Sequence, residues 1–328
     1  MSATNTDVQM PDINWDLEVP VALFIYNRPE TTRAVFDRIA EARPSRLYVV
    51  ADGPKDDVPE DPERCRRARE VVDVDWDCEV FWNTADSNLG LKQRTVTGLD
   101  WVFDREEQII FLEDDVVPSD SCFRFLSEML DRYREDNRVM NVTGYNRLGT
   151  WKDDVQDYHF SYYPAVWGSG MWRRVWKQYD PEMALWDSRK VRERIRDVLA
   201  DNDQFEHRKH QYQKARCGDL DSWSIPYGFM TLRNSGLSVV PSRNLVTNIG
   251  YGERATHTTR NDPEYDERFE LKFPIKNNPF VAVDREYDRR VYEQKRRLTL
   301  FERLRRIPQL YKNDGAVKIF KKGIRLVR

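Results

Sequence analysis

Cysteine is scarce in this chain, with four in 328 residues: Cys65, Cys78, Cys122 and Cys217. They are widely spaced and form no CxxC pair, so neither a zinc site nor a disulfide framework is indicated, and reduced thiols in a cytoplasmic protein are expected. No apolar run approaches the roughly 18 residues of a membrane span, and the opening MSATNTDVQMPD lacks the apolar core of a signal peptide. Internal repeats and low-complexity tracts are missing as well. No recognised nucleic-acid module accompanies the basic residues, so nucleic acid is not an expected partner.

What is present indicates a folded protein with a polar surface: 40% hydrophobic residues, 12% aromatic and ten tryptophans balance a charged fraction of 33%. The length suits one large α/β domain with appendages, or two modest domains. The net charge of −3 is unevenly spread, because residues 284–328 carry fifteen Lys/Arg against six acids and are +9, leaving −12 on the remainder. Basic residues in that tail alternate with Leu298, Phe301, Leu304, Ile307 and Phe320. The pattern reads either as a solvated charged helix or as an amphipathic anchor to an anionic membrane at the inner face of the cell.

Alternating strands and helices fill the first half. Val21–Tyr26, Leu47–Ala51, Glu79–Trp82 and Gln108–Leu112 read as strands, and Thr31–Ala42, Glu63–Val72 and Gln93–Phe103 as the helices between them. Such alternation predicts an α/β fold with a doubly wound, mainly parallel, Rossmann-like sheet. Further on, Val139–Thr143 reads as a strand, Arg189–Ala200 as a helix, and Tyr158–Met171 is rich in aromatics and glycine. The expected organisation is a flexible segment 1–18, a catalytic domain 19–283 and a basic amphipathic helical tail 284–328.

The stretch FLEDDVVPSD places Glu113, Asp114 and Asp115 behind the apolar run Ile109–Leu112, and Pro118, Ser119 and Asp120 then supply helix-starting chemistry. In an open α/β sheet that junction is the carboxyl edge, where ligands bind. Three adjacent carboxylates repel one another and need a cation or strong donors. Mn²⁺ or Mg²⁺ suits them, held by one or two carboxylates with substrate phosphates completing the shell. A solvated acidic turn favouring the next helix and a phosphatase-type aspartyl nucleophile are the alternatives; the latter ordinarily follows the first strand of its domain, whereas this motif follows the fourth.

FLEDDVVPSDSCFRFL resembles the acidic metal motif of GT-A fold glycosyltransferases, especially the N-acetylglucosaminyltransferase I-like group and related bacterial sugar transferases. Other segments resemble that family in the same order: VALFIYNRPETTRAV the first strand and nucleotide turn, YVVADGP the second strand, and NLGLKQRTVTGLDWVF the approach to the metal motif. WGSGMWRRVWKQYD resembles the glycine-containing loop, DLDSW the acidic motif that carries the base, and LVTNIGYGERATHTT the region ending in a metal-contacting histidine. The likeness covers roughly residues 19–260. It implies a metal-dependent transferase, inverting at the anomeric carbon, that moves a sugar from a nucleotide-diphosphate donor such as a UDP-sugar to a glycan or lipid-linked glycan acceptor. It further implies Asp115 and His257 as metal ligands, with Glu113 and Asp114 beside the donor.

Each segment also has a reading of its own. Tyr26, Asn27 and Arg28 follow the first strand, where Arg28 can pair with phosphate or be a surface arginine before a proline. Asp52 precedes Gly53 and Pro54 and can accept from a base N–H or simply belong to a turn. Asn88, Gly90, Lys92 and Arg94 lie between strand and helix, where bare backbone and cations suit a diphosphate. Gly168 and Gly170 lie among Trp167 and Trp172, giving either close backbone approach beside sugar-stacking indoles or aromatic core packing. Asp221, with Asp219 second, is the candidate base that takes the acceptor proton; Ser224 stands where some relatives carry an acid. Nucleotidyl transfer to make a nucleotide sugar is the other catalytic reading, although YNRPETTR lacks the glycine-rich loop it needs; a non-catalytic nucleotide-sugar binder is the third.

Overall fold

The structure is a computed structural model that describes residues 16–250, 267–294 and 296. The chain divides into two compact units, Met1–Asp284 and Arg285–Arg328. In the second, residues 285–294 are helical, and Arg289 and Glu293 pair at 2.9 Å across one turn. The amphipathic-tail expectation beyond residue 296 lies outside the described residues.

The first unit runs β1 (Val21–Ile25), α1 (Pro29–Ala42), β2 (Arg46–Ala51), α2 (Asp61–Glu70), β3 (Glu79–Thr84), α3 (Leu91–Phe103), β4 (Gln108–Glu113), β5 (Val116–Pro118), α4 (Asp120–Arg132) and β6 (Val139–Thr143). It continues with β7 (Tyr158–Ser161), β8 (Ser169–Trp172), α5 (Arg173–Trp176), a 3₁₀ turn at Ala184–Asp187, α6 (Arg189–Leu199), α7 (Asn202–Arg216), α8 (Ser224–Arg233), β9 (Leu237–Pro241) and β10 (Val246–Asn248).

Eight strands form the central sheet in the order β3-β2-β1-β4-β8-β6-β9-β7. The half β3-β2-β1-β4 is parallel, as the alternation requires; β8 then joins β4 and β6 antiparallel, β6 pairs β9 in parallel, and β7 closes the edge antiparallel. The result is an α/β, Rossmann-like sheet with a mixed far half. All five residues of β1 are buried, as expected of a strand covered on both faces, which therefore reads as a continuous apolar run. In α1, Pro29 occupies the first turn and Thr32, Val35, Phe36 and Ile39 are buried at helical spacing.

The helices α6, α7 and α8 enclose a smaller core of their own, in which Trp186, Tyr212 and Phe229 meet edge to face at 5.2–6.0 Å. Sequence reading found α6 but left α7 unassigned, because its apolar positions Phe205 and Tyr212 are seven residues apart in an otherwise polar run. The N-terminus of α4 is satisfied from a distance: Ser119 makes no side-chain cap, and Glu270 instead accepts from Asp120 N at 3.1 Å and Ser121 N at 2.8 Å.

His159 on β7 is 1% exposed. Loss of hydration pushes its imidazole down to about 3, with Asp284 opposing and Lys152 reinforcing the shift. The folded protein therefore holds this ring neutral where the unfolded chain binds a proton, so its contribution is complete above the ordinary histidine value and declines as pH falls towards 3. Between pH 7 and pH 5 the wild type should lose about 2 kcal/mol of unfolding free energy through this group. Denaturant unfolding of His159→Met should show a correspondingly flatter pH dependence; an unaltered slope would remove His159 as its source.

Candidate active site

Connections leave β1 towards β2 and β3 on one side, while β4 lies on the other. The carboxyl ends of β1 and β4 thus flank the switch point of the sheet, where open α/β folds present a crevice. Phe24 pairs with Glu113 across these strands, so the loop Tyr26–Arg28 meets the acidic triplet by register alone.

The triplet does not act as one cluster. The Arg28 guanidinium donates to Asp114 Oδ1 and, at 2.9 Å, to Asp115 Oδ2, and Tyr26 N donates to Asp114 Oδ2 at 3.4 Å. The Asp114 side chain is 4% exposed and that of Asp115 14%. Burial lifts Asp114 above the ordinary carboxylate range, Arg28 counters it, and the charge on Asp115 adds to it. Burial works against the charge on Arg28, but Asp114 and Asp115 outweigh it and hold the guanidinium ionised. Glu113 shifts the same way: burial first, then Asp115 and Asp114, push its carboxyl upward, and Arg28 and the neighbouring Trp223 indole oppose them. Among the described residues no group of three or more His, Cys, Asp or Glu is arranged to hold a metal ion.

Pairing of β5 with β10 sets Val116 opposite Asn248 and brings the LVTNIG segment to Asp115. Ile249 N donates to Asp115 O at 2.8 Å, Asn248 Nδ2 reaches Asp115 Oδ1 at 3.4 Å, and Gly250 N donates to Asn248 Oδ1 at 2.8 Å. A Cβ on Gly250 would fall 2.0 Å from Asp115 Oδ2 and 2.9 Å from Arg28 Nη1. A side chain at this position would displace the Asp115 carboxylate and the Arg28 guanidinium from their present poses. His257 lies outside the described residues.

Asp52, at the end of β2, is 5% exposed. Its carboxylate accepts from Gly53 N at 2.8 Å, Leu89 N at 2.9 Å, Asn88 Nδ2 at 3.0 Å and Gly90 N at 3.2 Å. Burial raises Asp52 against these donors. In this arrangement Asp52 fastens the loop that leads into α3, with Gly90 in a left-handed conformation (φ +79°) as its last residue. Arg94 turns back into the protein, 6% exposed, and donates to Asn83 O and, at 2.8 Å, to Asn83 Oδ1. Lys92 is half-buried in the first turn of α3.

The aromatic glycine segment divides between edge and core. Trp172 is 2% exposed and donates to Leu130 O at 3.2 Å, and a Cβ on Gly170 would meet Leu130 at 2.9 Å, so both serve the packing of β8 on α4. Gly168 (φ +56°) precedes β8 beside Val246 and Leu112, and Trp167 is half-buried against Tyr145 with ring centres 4.7 Å apart. Asp219 and Asp221 are both exposed. One proximity brings Asp221 to the same edge: its Oδ2 lies 3.9 Å from where a Gly90 side chain would start.

No protein-family model matches the chain, and no curated protein matches it. Among solved structures, the apo form of WbbM, a bifunctional glycosyltransferase, aligns over 68% of this chain and 38% of its own, at 12% identity and a TM-score of 0.29. The chain thus spans well under half of that protein's length, and so low a TM-score carries no argument about fold or chemistry.

Three contributors escape sequence reading. Asp61, the first residue of α2, accepts from Tyr26 OH and Asn27 Nδ2, and from Lys55 N at 3.0 Å. Asn248 and Gly250 reach Asp115 through strand pairing. The one available signal was Asp-Pro at a helix start, which marks a cap but says nothing of what it caps.

Replacing Arg28 by Met would leave Asp114 and Asp115 side by side without their cation. Because Arg28 keeps 23% of its side chain exposed, the cost at pH 7 should be about 2–3 kcal/mol, below that of a fully buried pair. Without Arg28 to oppose burial the Asp114 carboxyl would titrate higher, so the deficit should shrink at pH 5; equal deficits at both pH values in urea unfolding would contradict this dependence.

Proposed function

We propose that this protein is a GT-A type glycosyltransferase that moves a sugar from a nucleotide-diphosphate donor, such as a UDP-sugar, to a hydroxyl of a glycan or lipid-linked glycan. The observation that carries the reading is the pairing of Arg28 with both Asp114 and Asp115 at the sheet's switch point, with Asp221 across the same edge. An anion-binding cation, accessible carboxylate oxygen and a separate exposed carboxylate are the parts that sugar transfer needs.

The oxygen donors fit Mn²⁺ or Mg²⁺ held by one or two carboxylates. Asp115, the more accessible of the pair, would be its principal ligand, with Asp114 second and His257 a further candidate. Such an ion neutralises charge on a departing diphosphate. Arg28 is already charged and aimed at this place, and the N–H groups it does not give to Asp114 and Asp115 can meet a phosphate. Gly90 ends its loop with bare backbone at the start of α3, where Lys92 adds a cation close to a diphosphate. Asp221, exposed at the same edge, takes the proton from the acceptor hydroxyl. Inversion at the anomeric carbon follows if one base acts directly in this way.

With Mn²⁺ and a panel of nucleotide sugars, release of nucleoside diphosphate should fall by at least about a hundredfold in Asp115→Asn, and similarly in Asp221→Asn, while circular dichroism stays unchanged. Undiminished turnover in Asp115→Asn would sink the assignment, and pyrophosphate as product would indicate nucleotidyl transfer instead. Assembly of a cell-surface polysaccharide at the inner face of the plasma membrane is the setting the basic tail favours. Removal of residues 284–328 should abolish sedimentation with anionic liposomes, and unchanged sedimentation would exclude the tail as anchor.

A further inference from the structure

The loop that carries Arg28 is gripped from two sides. On one side Arg28 itself reaches Asp114 and Asp115 of the β4 end. On the other, the side chains of its two neighbours, Tyr26 and Asn27, converge on Asp61, a carboxylate 1% exposed at the first position of α2. Arg64, one turn further along α2, donates from Nε to Asn27 O at 2.9 Å. Lys55 N also donates to Asp61 at 3.0 Å, so one buried carboxylate joins the loops that follow β1 and β2.

We infer that Asp61 is a positioning residue of the diphosphate site, fixing the pose from which Arg28 meets its ligand; this rests on the sugar-transfer reading above. An arginine on a three-residue loop has many rotamers and two movable backbone hinges, and ordering it is costly. With Tyr26 and Asn27 tied to α2, that ordering is completed in folding, before any ligand arrives. The carboxylate suits this role, because three donors from two loops occupy most of its acceptor capacity. Burial would raise Asp61, but the hydrogen bonds from Tyr26, Lys55 N and Asn27 outweigh it and hold the carboxyl below its ordinary range. It therefore stays an acceptor throughout neutral pH. Tyr26 and Asn27 consequently serve the site through Arg28, because the Tyr26 hydroxyl and the Asn27 amide nitrogen are committed to Asp61.

Calorimetric titration of UDP and GDP with Mn²⁺ into the full-length protein, well below its melting temperature, tests this. Asp61→Ala should weaken nucleoside-diphosphate binding by about tenfold, and Asp61→Asn, which keeps one acceptor oxygen, should weaken it less. In a double-mutant cycle with Arg28→Lys, which keeps the charge but loses the fork, the penalty of Asp61→Ala should largely disappear, since both changes spoil the same contact. Should Asp61→Ala not fold, Tyr26→Phe removes one of the three donors and enters the same cycle, with an expected loss of about threefold. Wild-type affinity in the folded Asp61→Ala or Tyr26→Phe protein, or penalties that simply add to that of Arg28→Lys, would overturn the inference. A wild-type protein that binds neither UDP nor GDP with Mn²⁺ would overturn the sugar-transfer reading and this inference with it.

Discussion

Two carboxylates on adjacent residues at the end of a buried strand must be neutralised, and Arg28 neutralises both. Asp114 and Asp115 follow β4 at the switch point, largely shielded from water, where an unpaired charge is costly. The cation comes from the neighbouring strand end, where β1 delivers Arg28 three residues after its last residue, Ile25. The order β3-β2-β1-β4 is therefore more than an outcome of apolar packing, since it also brings opposite charges together where the sheet's connections diverge.

From that pair outward, buried carboxylates fasten the loops at the sheet's carboxyl edge in series. Asp61 holds the β1 loop to the β2 loop, and Asp52 holds the β2 turn to the loop before α3. Each joins segments distant in sequence, and each lies deep enough that its hydrogen bonds are only weakly contested by water. Loops on a sheet edge are ordinarily the mobile part of an α/β protein. Here hydrogen bonds to buried acids restrain them, which suits the proposed transfer reaction, because that reaction needs its groups held at fixed separations.

Legibility from sequence varied with the range of the interaction. Strands β1 to β4 and helices α1 to α4 followed from periodicity, because burial on both faces writes itself as an apolar run and burial on one face as a helical stripe. The acidic triplet was conspicuous by charge alone, and Arg28 by its place behind a strand. Roles were harder to read. Sequence treats Asp52 and Arg94 as candidates to meet a ligand, whereas in the fold Asp52 secures a loop and Arg94 points back to Asn83. Trp172 carries the same composition signal as Trp167, but Trp172 is spent on packing β8 against α4 while Trp167, ahead of that strand, stays half-buried near the edge.

The sequence by itself determined the α/β architecture, the strand-to-helix junctions and the residue types available for chemistry at them, because these depend on local propensity and on which residues avoid water. Only the tertiary structure decided that Asp61, Asn248 and Gly250 lie at the candidate site, and that Glu270 caps α4 from 150 residues away. Those contacts are set by strand order and register. A hydrogen bond between distant segments leaves no periodic trace in either of them, so the fold must bring the segments together before the bond can be seen.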